Sequence, residues 1–358
     1  MAKFRLKKRI FRYLGLLVNS YDIQKITHRI LSQKDYQLSI KNTKFVSSYG
    51  IKTNCDVVST TFRSSFIDPD YLASIIQQVQ QFQKNNLSNR PCNIYLCTDS
   101  ISLFTATVLP LLNSPFNLIS GDSDMPIANE NMGEEILAIT TQPYLNTWFA
   151  QNKLVAHPKI QSLPIGLDFH SRWREPTIWG GGYFLPSSQE IELIQILENS
   201  EPTFSRIPKA YCDWINSLDR GDRLACKDTI DLNACYLPSK SLPRAQNWAL
   251  QAQYVFVISP SGVGVDCHRT WEALSLGCIP IVKRYPMSDL FDHLPVVIVD
   301  DWSDINEEFL INKLHELENR RFDFSKLLLK YWKNQMIPNQ DYLQISCQMT
   351  LAEFKKSL

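Results

Sequence analysis

Tyr254-Val-Phe-Val-Ile-Ser-Pro-Ser-Gly-Val-Gly-Val-Asp-Cys-His-Arg-Thr-Trp-Glu-Ala-Leu-Ser-Leu-Gly-Cys-Ile-Pro-Ile-Val282 is the stretch from which the fold is read. Tyr254 to Ile258 is unbroken apolar sequence, the pattern of a strand covered on both faces. A run of small residues, Ser259 to Cys267, leads into a helical segment that begins at His268 and is stopped by Gly277. Ile279 to Val282 is a second buried strand. Strand, loop, helix and strand in this order predict a parallel sheet with helices on its faces.

The same rhythm runs through the first half. Cys55 to Thr61 is a β-branched run; Asp68 and Pro69 open a helix whose apolar face carries Leu72, Ile75, Ile76, Val79 and Phe82. Strands are expected at 93–97 and 116–120 with a helix at about 101–112 between them, and short apolar runs follow at 136–140 and 160–163. Residues 164–187, rich in Pro, Gly and Trp, break the pattern and mark the domain junction. Beyond it, a helix at 187–198, a strand at 210–214, a strand ending at Val299 and helices at about 306–318 and 322–334 complete a second α/β unit. Two α/β domains are therefore expected, residues 1–168 and 169–337.

Composition excludes several classes. A chain of 358 residues, 44% hydrophobic and 20% charged, is an ordinary globular one. No apolar run approaches the ~20 residues of a membrane span. The first twelve residues hold Lys3, Arg5, Lys7, Lys8, Arg9 and Arg12 and no acid, which leaves 31 basic against 36 acidic side chains in the remainder. That remainder is not a nucleic-acid binder. The basic start and the apolar residues to Val18 read either as a solvated terminus or as a peripheral membrane contact. Nine cysteines, several inside apolar runs and none in a C-x-x-C pair, point to a reducing compartment, the cytoplasm.

In an open parallel sheet, ligands sit beyond the carboxyl ends of the strands, which places a site at loop 259–267. The start of the following helix favours an anion, and Gly262 and Gly264 let the backbone approach it, with Ser259 and Ser261 beside them. On the first helical turn, His268, Arg269 and Glu272 lie together. Arg269 suits a diphosphate and Glu272 a ribose; an exposed Arg269–Glu272 ion pair is the plainer alternative. The loop lacks the Gly-Lys-Ser/Thr of a P-loop and the third glycine of a dinucleotide fingerprint, which argues against a nicotinamide dehydrogenase.

Phe256-Val-Ile-Ser-Pro-Ser-Gly, the run His268-Arg-Thr-Trp-Glu-Ala-Leu-Ser-Leu-Gly-Cys-Ile-Pro-Ile-Val and Pro286-Met-Ser-Asp-Leu together resemble the donor-binding region of exostosin-like glycosyltransferases. The resemblance is close over roughly 256–300 and looser at Pro164-Ile-Gly-Leu-Asp. It implies the GT-B arrangement: two Rossmann-like domains with parallel sheets facing across a cleft and a carboxyl-terminal helix, within 338–358, returning to the first domain. It further implies a hexosyl- or pentosyltransferase that moves a sugar from a nucleotide diphosphate donor, uridine-linked by expectation, to a hydroxyl of a glycan acceptor. Arg269 would then contact the diphosphate and Glu272 the ribose, with Arg223 or Arg220 adding phosphate contacts.

Such a reaction, if inverting, needs a base on the acceptor side. Gly121-Asp-Ser-Asp follows the strand 116–120, and Asp124, then Asp122, then His170 or Asp168 are the candidates. Asp122 and Asp124 also spell a D-x-D motif, which this many aspartates produce by chance. A Mn²⁺-dependent transferase using that pair is one alternative, and an inactive glycan-binding partner subunit another. No tightly bound metal or cofactor is expected, because a helix terminus and arginine can carry the donor's charge. Trp173, Trp179 and Tyr183 are candidates to stack on an acceptor sugar, and Asp300-Asp301-Trp302 reads as a loop and helix cap.

Overall fold

The structure, a computed structural model, describes residues 33–58, 69–85, 90–174, 184–336 and 347–357. The basic segment 1–18, the cap at Asp68 and the run Trp179 to Tyr183 lie outside the described residues.

The first half holds a parallel sheet of β1 (Cys92–Cys97), β2 (Phe116–Gly121), β3 (Leu145–Ala150) and β4 (Ile160–Ser162), in that order. Its helices are α1 (Gln33–Lys41), α2 (Ser48–Lys52), α3 (Pro69–Asn85), α4 (Ile101–Thr107) and α5 (Asn129–Thr141). Successive strand residues point to opposite faces, so the apolar runs supply two cores. Ile94, Leu96, Leu118 and Trp148 pack with α3, α4 and α5, while Tyr95, Ile119 and Phe149 pack with α1 and α2.

The second half holds β5 (Ile207–Tyr211), β6 (Cys235–Tyr236), β7 (Tyr254–Ile258), β8 (Ile279–Lys283) and β9 (Val297–Val299), all parallel, in the order β6-β5-β7-β8-β9. It carries the short α6 (Ser171–Arg174) and α7 (Pro186–Asn199), α8 (Arg223–Thr229), α9 (Arg244–Gln251), α10 (His268–Ser275) and α11 (Glu307–Leu317). Trp271 and Leu274 of α10 are fully buried, each contributing about 1.5–3 kcal/mol of burial. The fold is therefore two Rossmann-like units. The second is doubly wound: the chain lays β6 on one side of β5 and then β7 on the other. That reversal opens a crevice at the carboxyl ends of β5 and β7.

The halves are stitched together at the junction. Leu167 N–H donates to Val46 O at 2.8 Å and Ser48 N–H to Ile165 O at 2.9 Å. Between them Gly166 has φ +66°, and a Cβ there would lie 2.3 Å from Val46 O. The return to the first half is made by α12 (Leu329–Met336): Leu329 N–H donates to Lys44 O, and the Asn117 amide donates to Met336 O. The last helix, α13 (Leu351–Ser357), lies instead on the second half, with Phe354 stacked on Phe324 at 4.1 Å and Lys355 bonded to Ser200 O.

Several expected elements move. Residues 136–140 belong to α5, and the neighbouring strand is β3, whose Asn146 and Thr147 hid it from an apolarity reading. The strand expected at 210–214 runs from 207 to 211. The helix expected from 322 begins at 329, after the two-residue strand Phe322–Asp323 pairs with Gln348–Met349. The helix expected at 101–112 stops at Thr107, and a 3₁₀ turn with Pro110 follows.

Candidate active site

At the reversal in the second sheet, between the two halves, lies a cleft of about 450 Å³. Its floor is the loop after β7. Gly262 N–H donates to Gly264 O, closing a tight turn, and the N–H groups of Val263 and Gly264 make no hydrogen bond to a described residue. The loop after β5 packs against it: Gly221 has φ +54°, and a Cβ there would be 2.2 Å from Gly262 O. Ser261 Oγ is spent on that packing, donating to Asp222 at 2.8 Å. Ser259 is buried and bonds Thr270. These two serines hold the loop's shape and do not line the cleft, unlike Gly262, Gly264, His268, Arg269 and Glu272.

Arg269 and Glu272 do not pair with each other. Arg269 Nε donates to Asp213 Oδ1 at 2.6 Å and Nη1 to Pro260 O at 3.2 Å; Nη2 makes no bond to a described residue. Burial works against the charge of Arg269, but Asp213 together with Cys267 and Glu272 outweighs it and moves its pKa up. Glu272 Oε1 accepts from Arg244 at 2.7 and 3.2 Å. Arg244 is buried, and its Nη1 donates to Asp168 O at 2.6 Å. Arg223 lines the same cleft, with Nη2 only 3.3 Å from where a Gly262 side chain would begin. Burial, and then the neighbouring Arg269, pull its pKa down. Two guanidinium groups thus crowd one loop.

At the junction, His268 Nδ1 lies 2.7 Å from Gly166 O. A carbonyl only accepts, so Nδ1 carries the hydrogen, and Nε2 makes no bond to a described residue. Asp168 is buried, which pushes its carboxyl up, yet His170, His268 and Arg244 together hold it well below the usual range. Asp266 shows the opposite balance: burial pushes it up to about 6 despite the N–H groups of Ile165 and Trp271.

The first half contributes Asp124. It is exposed and lines the cleft, and a side chain on Gly264 would begin 2.9 Å from its Oδ1. Asp122 does not line the cleft. Its φ of +57° turns it inward, where it acts on Tyr36, Lys52 and Tyr95. His170 also stands off the cleft wall, stacked on Tyr49 at 4.5 Å. Trp173 is buried against Tyr36, a core contact. Asp301 caps the 3₁₀ turn that follows it through Ser303 N–H. Among the described residues no three His, Cys, Asp or Glu side chains gather as metal ligands.

Asp213, Arg244, Asp266 and Asn247 also line the cleft and were not read from the sequence. Asp213 alone had a usable signal: it is an acid just past the end of a strand, where ligands bind. Arg244 and Asn247 sit on a helix whose sequence carries no motif.

No protein-family model matches the chain, and no curated protein matches it in sequence. Among solved structures, an alpha1,3-fucosyltransferase is similar at TM-score 0.33 and 12% identity, over 73% of this chain and 80% of that one. An alpha1,3-fucosyltransferase with GDP-fucose is similar at TM-score 0.31 and 11% identity, over 74% and 88%. Likenesses this distant bear on neither fold nor chemistry, and the exostosin-like resemblance rests on the residues that carry it.

Proposed function

We propose that the chain is a glycosyltransferase that takes a sugar from a nucleoside diphosphate donor, uridine-linked in our reading, and passes it to a glycan hydroxyl without a bound metal. The observation that carries this reading is the pair Arg269 and Arg223 at the sheet's reversal point. The Arg269 charge, already paired with Asp213, disfavours that of Arg223, and an anion between the two offsets this repulsion. A diphosphate fits because it is dianionic or more and offers oxygens to both guanidinium groups.

In the reaction, the acceptor hydroxyl oxygen bonds to the anomeric carbon as the carbon–phosphate-oxygen bond breaks. The hydroxyl proton passes to a base, for which Asp124 is the best placed carboxylate, and the electron pair leaves on the diphosphate, where Arg269 and Arg223 stabilise it. Glu272, oriented by Arg244, is available to a ribose hydroxyl.

The test is thermal stabilisation by UDP, GDP, CMP, dTDP and NAD⁺, each with Mn²⁺ or EDTA, on wild type and Arg269→Ala. A ligand at 100 times its dissociation constant adds ~2.7 kcal/mol. One nucleoside diphosphate should stabilise the wild type in EDTA and stabilise Arg269→Ala far less, with Arg223 alone left on the loop. Stabilisation only with Mn²⁺ would overturn the metal-free reading and point to Asp124 as a ligand, and none at all would favour an inactive partner subunit.

A further inference from the structure

Behind Arg269 stands a chain of side chains that reaches the aromatic edge of the second sheet. Asp213 Oδ1 accepts from Arg269 Nε at 2.6 Å, and Asp213 Oδ2 accepts from Asn247 Nδ2 at 3.1 Å. Asn247 Oδ1 in turn accepts from the Tyr211 hydroxyl at 2.6 Å. Tyr211 is fixed by its ring neighbours, Tyr254 at 5.6 Å and Tyr236 at 6.0 Å. Both oxygens of Asp213 are therefore used, and the four residues come from three elements: Tyr211 and Asp213 from the end of β5, Asn247 from α9 and Arg269 from α10.

The pairing is one-sided in a way that matters. A bidentate arginine–carboxylate pair engages two guanidinium nitrogens; here Asp213 takes only Nε, and Pro260 O takes Nη1. Nη2 is left for a ligand, on a group that loses no rotamer freedom on binding because it is already held. A carboxylate next to an anion site also opposes the anion, so Asp213 helps binding only through the geometry it gives Arg269.

We propose that Asp213, itself held by Asn247 and Tyr211, is the positioning residue that sets Arg269 for a diphosphate; this rests on the donor-site reading above. The experiment is calorimetric titration of UDP, GDP and inorganic pyrophosphate into wild type, Asp213→Asn, Tyr211→Phe, Arg269→Ala and the double variant Asp213→Asn with Arg269→Ala. Loss of one charge-assisted hydrogen bond predicts that Asp213→Asn weakens diphosphate binding by about tenfold or more. Tyr211→Phe, which removes one hydroxyl and leaves the ring packing, should weaken it by about two- to tenfold. The double variant should bind no more weakly than Arg269→Ala alone, because Asp213 acts through Arg269. Unchanged binding in Asp213→Asn, or losses that add in the double variant, overturn the positioning role while leaving the donor site standing. A wild type that binds none of the three probes overturns both.

Discussion

Asp266 reaches from the second half to the first: its carboxylate accepts Ile165 N–H at 2.7 Å while it also accepts the Trp271 indole N–H at 2.9 Å. The group that ties the halves together beside the cleft is thus a buried acid whose pKa burial pushes up to about 6. The folded chain holds this proton more tightly than the unfolded one, so its contribution to stability grows as pH falls from about 6 to about 4 and is smallest above 6. The difference between about 6 and the ordinary carboxylate value amounts to roughly 3 kcal/mol. Asp168, held low, acts in the opposite sense and only at lower pH. We expect the stability gap between wild type and Asp266→Asn to shift in favour of wild type between pH 7 and pH 5, as read by urea midpoints. A gap that does not change with pH removes Asp266 as a buried titrating group.

The Arg244–Glu272 pair tests whether the Glu272 side of the cleft is preformed. Both side chains are nearly buried, at 4% and 12% exposure. Arg244→Ala leaves the Glu272 charge without its partner and should destabilise the fold by about 3–5 kcal/mol. Arg244→Ala with Glu272→Ala should be less destabilised than Arg244→Ala alone, measured by the same urea midpoints. If the second substitution adds further loss, the pair is not the source of the cost.

Gly166 carries the join between the halves. With φ +66° and Val46 O 2.3 Å from any Cβ, Gly166→Ala must move backbone on one side or the other. We expect a loss of at least about 2 kcal/mol in unfolding free energy. Since Gly166 O also receives His268 Nδ1, the variant should also weaken the nucleotide binding that the proposed function calls for. A Gly166→Ala chain of native stability would show that the junction yields freely.

The buried strands of the second sheet were legible because their apolarity is continuous, and α10 because a glycine loop precedes it and Gly277 ends it. β3 was not, since Asn146 and Thr147 face partly outward and break the run. The site divides the same way. Gly262, Gly264, His268, Arg269 and Glu272 lie within one contiguous unit and reach one cleft. Asp213 and Arg244, which decide how Arg269 and Glu272 are aimed, come from 56 and 28 residues away. No spacing rule reports partners that meet only after the sheet is wound. Asp122 and Asp124 look equivalent as letters; the left-handed backbone at Asp122 separates their destinations.

That separation gives the sharpest catalytic test. Asp124 is exposed on the cleft wall opposite the glycine loop, whereas Asp122 is turned in beside Lys52, whose pKa burial lowers and Asp122 raises. If Asp124 takes the acceptor's proton, Asp124→Asn should lower kcat by about 10²- to 10⁴-fold with donor affinity unchanged, because the proposed function assigns the diphosphate to Arg269 and Arg223. Asp122→Asn should instead lower the melting temperature, since it removes the charge that Lys52 is buried against. Steady-state rates with a glycan acceptor, beside nucleotide titrations and melting curves for both variants, separate the two. Near-normal turnover in Asp124→Asn would move the base to the junction, where His268 Nε2 is the next group on the cleft wall without a protein partner among the described residues.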